Sequence, residues 1–307
     1  MKLFSLEISV LLVLVTVLIV FYTNARFVQS SQSSTCINYD PSNMVITVKC
    51  KTASMRDINN QLNDPNILHM ETPDGVWKLN AGIVVGEGAT LYINSSDLSW
   101  LKILTKHHDG GKAKEVNTNI IEVFGTLRID SIKLTSWDDS TNDYARNPGS
   151  RDLSENHMEI GSPRPFISVE SDATGTTDIT NSEIAYLGYE GGVGAGPDDG
   201  ITYFGGDGSI IRNNDIHDLY FGFYSNGVGN ITIENNAIHH NAHYGLDPHT
   251  VTHDMIIRNN RVHDNGGIGI ICSLDCYNIK IENNTVYNNT KMGIMFSRNM
   301  YDSVARR

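Results

Sequence analysis

From Trp77 onward the chain carries short apolar runs, most of them bounded by Gly, Asn, Asp or Ser. They are Gly82-Ile-Val-Val, Thr90-Leu-Tyr-Ile, Trp100-Leu-Lys-Ile-Leu, Ile120-Ile-Glu-Val, Thr126-Leu-Arg-Ile and Ser131-Ile-Lys-Leu. Runs of this kind predict short strands. Further along, the pattern becomes a repeat. Ser209-Ile-Ile-Arg-Asn-Asn-Asp-Ile-His, Thr232-Ile-Glu-Asn-Asn-Ala-Ile-His, Met255-Ile-Ile-Arg-Asn-Asn-Arg-Val-His and Ile279-Lys-Ile-Glu-Asn-Asn-Thr-Val-Tyr align with one another. Their Asn pairs begin at 213, 235, 259 and 283, in steps of 22, 24 and 24, and glycines follow at 222, 245, 269 and 293. A period of 22–24 residues containing several short strands is one coil of a parallel β-helix. One coil cannot bury its inward side chains alone, so coils stack at about 4.8 Å. The turn asparagines are expected to bond from coil to coil. Leucine-rich repeats share the period, but their leucine pattern is absent. The fold class is therefore all-β, a parallel β-helix, with a short helix over Ser54–Leu62 as an N-terminal cap.

The pattern divides the chain into five parts. Residues 1–26 hold a nearly unbroken apolar run over 8–22, with Lys2 before it and Arg26 after. That run is shorter than the roughly 20 residues of a membrane span. It fits a signal-peptide core, with a retained anchor as the alternative. Residues 27–35 read as a Ser/Gln-rich linker, and 36–135 as an N-terminal cap with the first coils. Residues 136–165 are polar, without strand pattern, and carry Arg146, Arg151 and Arg164 at or near their end. A loop of this length is expected either to fold over a groove or to be a solvated excursion. Residues 166–307 are the repeats. Asp302-Ser-Val-Ala-Arg-Arg reads as the start of a fifth segment, so the sequence is expected to end mid-coil.

Composition changes this picture little. Glycine (27) far exceeds proline (8), which suits a turn-rich β protein, and 40% hydrophobic residues supply a substantial core. A net charge of −12 without a basic stripe argues against nucleic acid as partner. A local basic groove remains compatible with an acidic protein. An exported, oxidising location predicts two local disulfides, Cys36–Cys50 and Cys272–Cys276. Sequons at Asn94, Asn230, Asn283 and Asn288 arise easily in an Asn-rich repeat.

Candidate chemistry gathers between His239 and His249, where one repeat turns polar. With the coils aligned on their glycines, Tyr224, Asp247, Ile271 and Met295 form one column and Asn226, His249, Ser273 and Ser297 another. Asp247 and His249 are two apart, so they share a strand face. The column Phe223, Leu246, Ile270, Ile294 then faces the core, which leaves Asp247 and His249 outward. Tyr244 joins them if Gly245 marks a bend. Seven of the 11 histidines lie between 217 and 263. His217, His239 and His263, followed by Tyr287, fill one column and read as a structural stack. His240, His243, His249 and His253 stand outside it and are where function is sought. No metal site is expected, since Asp247 and His249 alone make a poor ligand set.

The run Tyr244-Gly-Leu-Asp-Pro-His249 resembles the Tyr-Gly-x-Asp-Pro-His motif of mannuronan C5-epimerases. The resemblance extends from about Thr135 to Arg306 and includes Arg164-Pro-Phe-Ile. It implies a right-handed β-helix that converts β-D-mannuronate to α-L-guluronate within an alginate-like polyuronate. It implies Tyr244 and His249 as the acid/base pair, with their order open, and Asp247 as an orienting or carboxyl-binding group. Two departures stand out. Thr250 follows the motif where an acidic residue is frequent, and Gly266-Gly-Ile-Gly lacks a basic residue. Epimerisation removes the C5 proton α to a carboxylate, so a cation must neutralise that carboxylate. Arg212, Arg258, Lys280 and Arg164 are candidates, with His240 and His243 as further substrate-binding residues. No cofactor is called for. Calcium is conceivable beside a uronan, but Asp198, Asp199 and Asp207 form no recognisable loop. A lyase using the same proton abstraction, or a non-catalytic carbohydrate-binding surface, are the alternatives. The oligomeric state is open.

Overall fold

The computed structural model describes residues 35–105, 119–152, 157–190 and 199–307. The expected leader and linker, apart from Thr35, and Asp198 lie outside these, as does the Arg151 side chain. From Cys36 to Arg307 the chain forms one compact unit of three long sheets. Each coil places one strand in each sheet. The first sheet has ten strands and includes Phe221–Asn226, Leu246–His249, Ile270–Ser273 and Ile294–Ser297. The second has nine and includes Ile210–Arg212, Thr232–Glu234, Ile256–Arg258, Lys280–Glu282 and Val304–Arg306. The third, also nine-stranded, includes Asp215–His217, Ala237–His239, Arg261–His263 and Thr285–Tyr287. Successive coils pair in parallel with the register expected from the repeat: Ile211 on Ile233 on Ile257 on Ile281, and Ile216 on Ile238 on Val262 on Val286.

These columns, with Phe223, Leu246 and Ile270, fill the interior and are buried except for Val286, which is partly buried. Full burial of each aliphatic side chain contributes about 1.5–3 kcal/mol. At the last coil, Ile294 is instead exposed.

The asparagines explain why the coil turns where it does. The first Asn of each pair, Asn213, Asn235, Asn259 and Asn283, sits at φ 55–59°, in the left-handed region that Asn tolerates. The second is buried at Asn214, Asn236 and Asn260, which each bond to the neighbour above, and half-buried at Asn284. Asn236 donates through Nδ2 to Asn260 Oδ1 at 3.0 Å, and Asn260 to Asn284 Oδ1 at 3.0 Å. The same amide groups donate to backbone carbonyls of the coil below. A second ladder, Asn241–Asn265–Asn289, closes the next corner at 2.8 Å per step. Both ladders satisfy buried turn backbone that would otherwise be unpaired.

The helix is Met55–Leu62, with Ser54 as N-cap and Asp57 closing a capping box. Met55 and Ile58 face the interior. Residues 136–165 depart from the expected plain loop, since Gly149–Asp152 and His157–Ile160 pair as an antiparallel hairpin.

Cys36 and Cys50 are disulfide-bonded. The second expected disulfide is corrected: Cys272 and Cys276 are both free and buried. Cys272 shares parity with Ile270 and packs as a small core residue, and the Cys276 thiol donates to Ser273 O at 3.1 Å. Burial pushes the Cys276 thiol up to about 11, so it stays protonated and unreactive.

Candidate active site

The first sheet carries the site. Tyr224 lies opposite Asp247 in register and Asn226 opposite His249, and Ser273 continues the histidine column. Pro248 offers no N–H, and the pairing of this strand with the next, Leu246 on Ile270 and His249 on Ser273, is interrupted at Asp247 and Pro248. Tyr220, Phe221 and Tyr224 form a cluster of their own, packed by Phe204, Ala242 and Tyr244, separate from the interior core. The site is therefore on the outer face but walled by aromatics.

Two glycines set the position of Tyr244. A Cβ on Gly245 would stand 2.5 Å from Gly269 O, so the backbone bends closely past the next coil there and Tyr244 turns outward. Its ring lies over Gly267, where a Cβ would meet Tyr244 Cδ1 at 2.7 Å. The space beside the Gly266-Gly-Ile-Gly turn, where a basic side chain was missing, is thus occupied by Tyr244. Phe221 packs 5.2 Å away and His243 4.0 Å away, edge to face.

Asp247 is 3% exposed, and its Oδ1 has no hydrogen-bond partner among the described residues. Burial raises its carboxyl well above the usual 3.8, only partly opposed by a nearby cation. That cation is Arg298, in the turn after Ile294–Ser297. Its Nη2 lies 3.0 Å from His249 Nε2, and its Nε and Nη2 donate to Ser273 Oγ at 2.9 and 2.7 Å. His249 Nδ1 lies 2.6 Å from Thr250 Oγ1. Burial, then Arg298, lowers the His249 pKa below 6.5, so the imidazole is neutral near pH 7. Burial raises Tyr244, which keeps its proton. Tyr224, whose ring is 5.8 Å from that of His249, is pushed up to about 12 by burial. A neutral imidazole, the protonated phenols of Tyr244 and Tyr224, a buried carboxyl and a guanidinium are therefore neighbours on this outer face.

Arg298 was missed in the sequence. It stands 49 positions from His249 and one past the column that ends at Ser297. The expected cations are not brought here. Arg164 is 1% exposed, and its guanidinium donates to Gly188, Ala145 and Leu187 carbonyls at 2.5, 3.3 and 2.9 Å. It clamps the polar loop to the turn beside it, and burial lowers its pKa to about 9. Arg212 and Arg258 point out from the second sheet and flank Glu234 at 3.4 and 2.6 Å. The register continues as Arg212, Glu234, Arg258, Glu282, Arg306, alternating in sign coil by coil. Lys280 is exposed on the same sheet. The structure thus places these four apart from Asp247 and His249: the Arg164 guanidinium is bonded to backbone carbonyls, and the others lie on the second sheet.

His240 is exposed and stands edge-on to the histidine stack, its Nδ1 2.7 Å from His239 Nδ1. In that stack His217, His239, His263 and Tyr287 follow one another at 5.1, 5.0 and 4.7 Å, nearly parallel. His243 does reach the aromatic wall, stacked 4.9 Å from Phe221. Of the 136–165 loop, residues 153–156 lie outside the described residues. Tyr144 stacks on Tyr186 at 4.2 Å and Arg146 pairs with Asp143 at 2.8 Å, so the loop is pinned beside the third sheet. Beyond the loop, Glu190 accepts from the Tyr220 hydroxyl at 2.6 Å, and its backbone bonds to Gly161 N and Pro148 O of the loop at 3.1 and 2.7 Å. Among the described residues, no group of three His, Cys, Asp or Glu is arranged to hold a metal. Asp207 accepts from Gly229 N at 2.9 Å, and Asp199 is 1% exposed.

Comparison with known proteins gives the handedness of the fold. A family model described as "Right handed beta helix region" matches residues 167–304. The chain is similar to a double mutant of the periplasmic alginate epimerase AlgG, with a TM-score of 0.68 and 20% identity over 85% of this chain and 58% of that one. It is similar to AlgG itself with a TM-score of 0.66 and 20% identity over 85% of this chain and 57% of that one. The chain thus spans less than two thirds of the length of the AlgG chains. No curated protein matches the sequence. At such identity the likeness establishes a right-handed parallel β-helix.

Proposed function

We propose that the protein is a C5-epimerase of a polymeric uronate, converting β-D-mannuronate to α-L-guluronate in an alginate-like chain. The observation that carries this reading is the contact between Arg298 and His249 Nε2 at 3.0 Å, beside the buried Asp247 and the protonated Tyr244. It joins a cation for a carboxylate, a base and an acid on one outer face. The similarity to the alginate epimerase AlgG supports the same substrate class. The apolar run at 8–22, the Cys36–Cys50 disulfide and the likeness to the periplasmic AlgG support an exported protein.

In this reading the substrate carboxylate takes the Arg298 guanidinium. Asp247, kept neutral by burial, donates a hydrogen bond to it, as a neutral carboxylic acid in an apolar site does. Both contacts strengthen as negative charge moves from C5 onto the carboxylate. His249 Nε2 removes the C5 proton and the Tyr244 hydroxyl returns one on the opposite face. Water then reprotonates the phenolate and takes the proton from the imidazolium, so the site resets without a cofactor. The aromatic wall of Tyr220, Phe221 and Tyr224 keeps the site dry, which magnifies every charge interaction in it.

The test is Arg298→Ala. Guluronate formation from polymannuronate, followed by proton NMR, is expected to fall about 10²–10³-fold in kcat, the loss typical of removing one donor to a developing oxyanion. Parent-like turnover by a folded Arg298→Ala variant overturns the reading.

A further inference from the structure

Arginine donates hydrogen bonds and never accepts them. The 3.0 Å contact from Arg298 Nη2 therefore makes His249 Nε2 the acceptor. A neutral imidazole carries its one proton on the other nitrogen, and among the described residues that nitrogen meets Thr250 Oγ1 at 2.6 Å. Thr250 stands where the motif frequently continues with a carboxylate. We infer that Thr250 is a positioning residue that fixes His249 as the Nδ1–H tautomer, leaving Nε2 as the proton acceptor of the reaction. The inference rests on the proposed epimerase only for its effect on rate; the tautomer itself does not depend on it.

The backbone holds Thr250 for this task. Thr250 and Val251 both lie in the left-handed region, at φ 33° and 53°, which β-branched residues rarely adopt. The turn persists because it is bonded on both sides. Gly227 N donates to Thr250 O at 2.7 Å, Thr250 N to Ser273 O at 2.9 Å, and Val251 N to Leu274 O at 2.9 Å. The His249 carbonyl accepts from Thr252 Oγ1 at 2.6 Å, which fixes the strand end as well. The Thr250 hydroxyl is thereby presented to Nδ1 by a rigid turn.

The choice of threonine has a consequence for pH. A carboxylate at this place would favour the imidazolium and raise the histidine pKa. A hydroxyl binds the Nδ1–H without adding charge. The charged and titratable groups that bear on His249 are Arg298 from the last coil, Asp247 on its own strand, Tyr224 from the coil below and Tyr244 from the preceding turn. Arg298 opposes protonation, and Asp247 is kept neutral by burial. The imidazole therefore stays a free base to lower pH than an ordinary histidine.

The experiment is two-part. Long-range 1H–15N NMR of the ring of His249, assigned by its loss in His249→Gln, reads the tautomer without substrate. The parent is expected to show a protonated Nδ1 and a lone-pair Nε2, Thr250→Val to show a mixed pattern, and Thr250→Ser to restore the parent pattern. Thr250→Asp is expected to raise the His249 pKa by ~1 pH unit. A parent with the proton on Nε2, or a Thr250→Val variant with unchanged ring shifts and titration, overturns the inference. Kinetics then test the link to catalysis. Thr250→Val is expected to lose roughly tenfold in kcat/KM, about one hydrogen bond. Thr250→Asp is expected to move the acidic limb of the kcat/KM profile upward by ~1 unit. The expected ring shifts in a protein inert on polymannuronate would leave the tautomer standing and remove the epimerase. Turnover with an unmoved pH profile in Thr250→Asp would remove the positioning role.

Discussion

Asp247→Asn replaces a buried, uncharged-by-burial carboxyl with an amide of the same shape, and its effect on stability depends on pH. Asp247 is 3% exposed, and its Oδ1 meets no partner among the described residues. Burial raises its folded-state pKa above the unfolded 3.8, against the partial opposition of Arg298. The folded state then binds more protons than the unfolded one between the two values, so stability falls as pH rises through that window. The loss is complete above the folded pKa and absent below the unfolded one. Within the window the slope is about 1.4 kcal/mol per pH unit. The amide does not titrate and carries no such slope. The variant and the parent are therefore expected to melt together near pH 4 and to separate as pH rises, with the variant more stable. At about 2–4 °C in Tm per kcal/mol, the gap grows by roughly 3–5 °C per pH unit. Thermal denaturation followed by circular dichroism from pH 4 to 8 measures it, and other titrating groups cancel in the difference. Parallel melting curves across the whole range would refute the raised carboxyl. The same variant is expected to lose turnover, since stability withheld at a site is the usual counterpart of its chemistry.

Three further expectations follow from single contacts. Asn260→Ala removes the acceptor of two bonds from Asn236 and the donor to Ile233 O and Asn284 Oδ1, all buried or half-buried, and is expected to cost about 3–5 kcal/mol by chemical denaturation. Gly267→Ala places a methyl 2.7 Å from the Tyr244 ring and 2.9 Å from His243 O, and is expected to lower kcat at least ~10-fold while costing ~1–3 kcal/mol in stability. Cys272 and Cys276 are free and buried, so a thiol reagent is expected to find no reactive group in the native protein and two in denaturant, with the Cys36–Cys50 disulfide intact.

The repeat made the scaffold legible because its signals are redundant. Each Asn pair and each glycine recurs coil by coil, and the resulting columns place Tyr224 on Asp247 and Asn226 on His249 as the registers do. Residues used once per molecule left no such trace. Arg298 is adjacent to His249 only because two further coils stack above it, a relation no local pattern encodes. The opposite error arose at Arg212 and Arg258. Read singly, each looks like a free cation; read down the column with Glu234, Glu282 and Arg306, they neutralise one another. Exposed pairs of this sort contribute little each, ~0–1 kcal/mol, but they occupy the charges. Arg164 gave no sign of burial in the sequence, because its three acceptors are backbone carbonyls. The cysteines misled through compartment reasoning, although the shared parity of Ile270 and Cys272 already pointed inward. The bend that turns Tyr244 outward depends on the close approach of Gly245 to Gly269, which is a distance and not a pattern.

The central claim is tested most directly by incubating polymannuronate with the parent protein in D2O and recording proton NMR spectra of the polymer. The account predicts new guluronate residues that carry deuterium at C5, with chain length unchanged, because His249 removes the C5 proton and Tyr244 delivers one that has exchanged with solvent. Unsaturated chain ends would make the same proton abstraction a lyase step, and an unchanged polymer in the presence of folded protein would contradict catalysis at this site altogether.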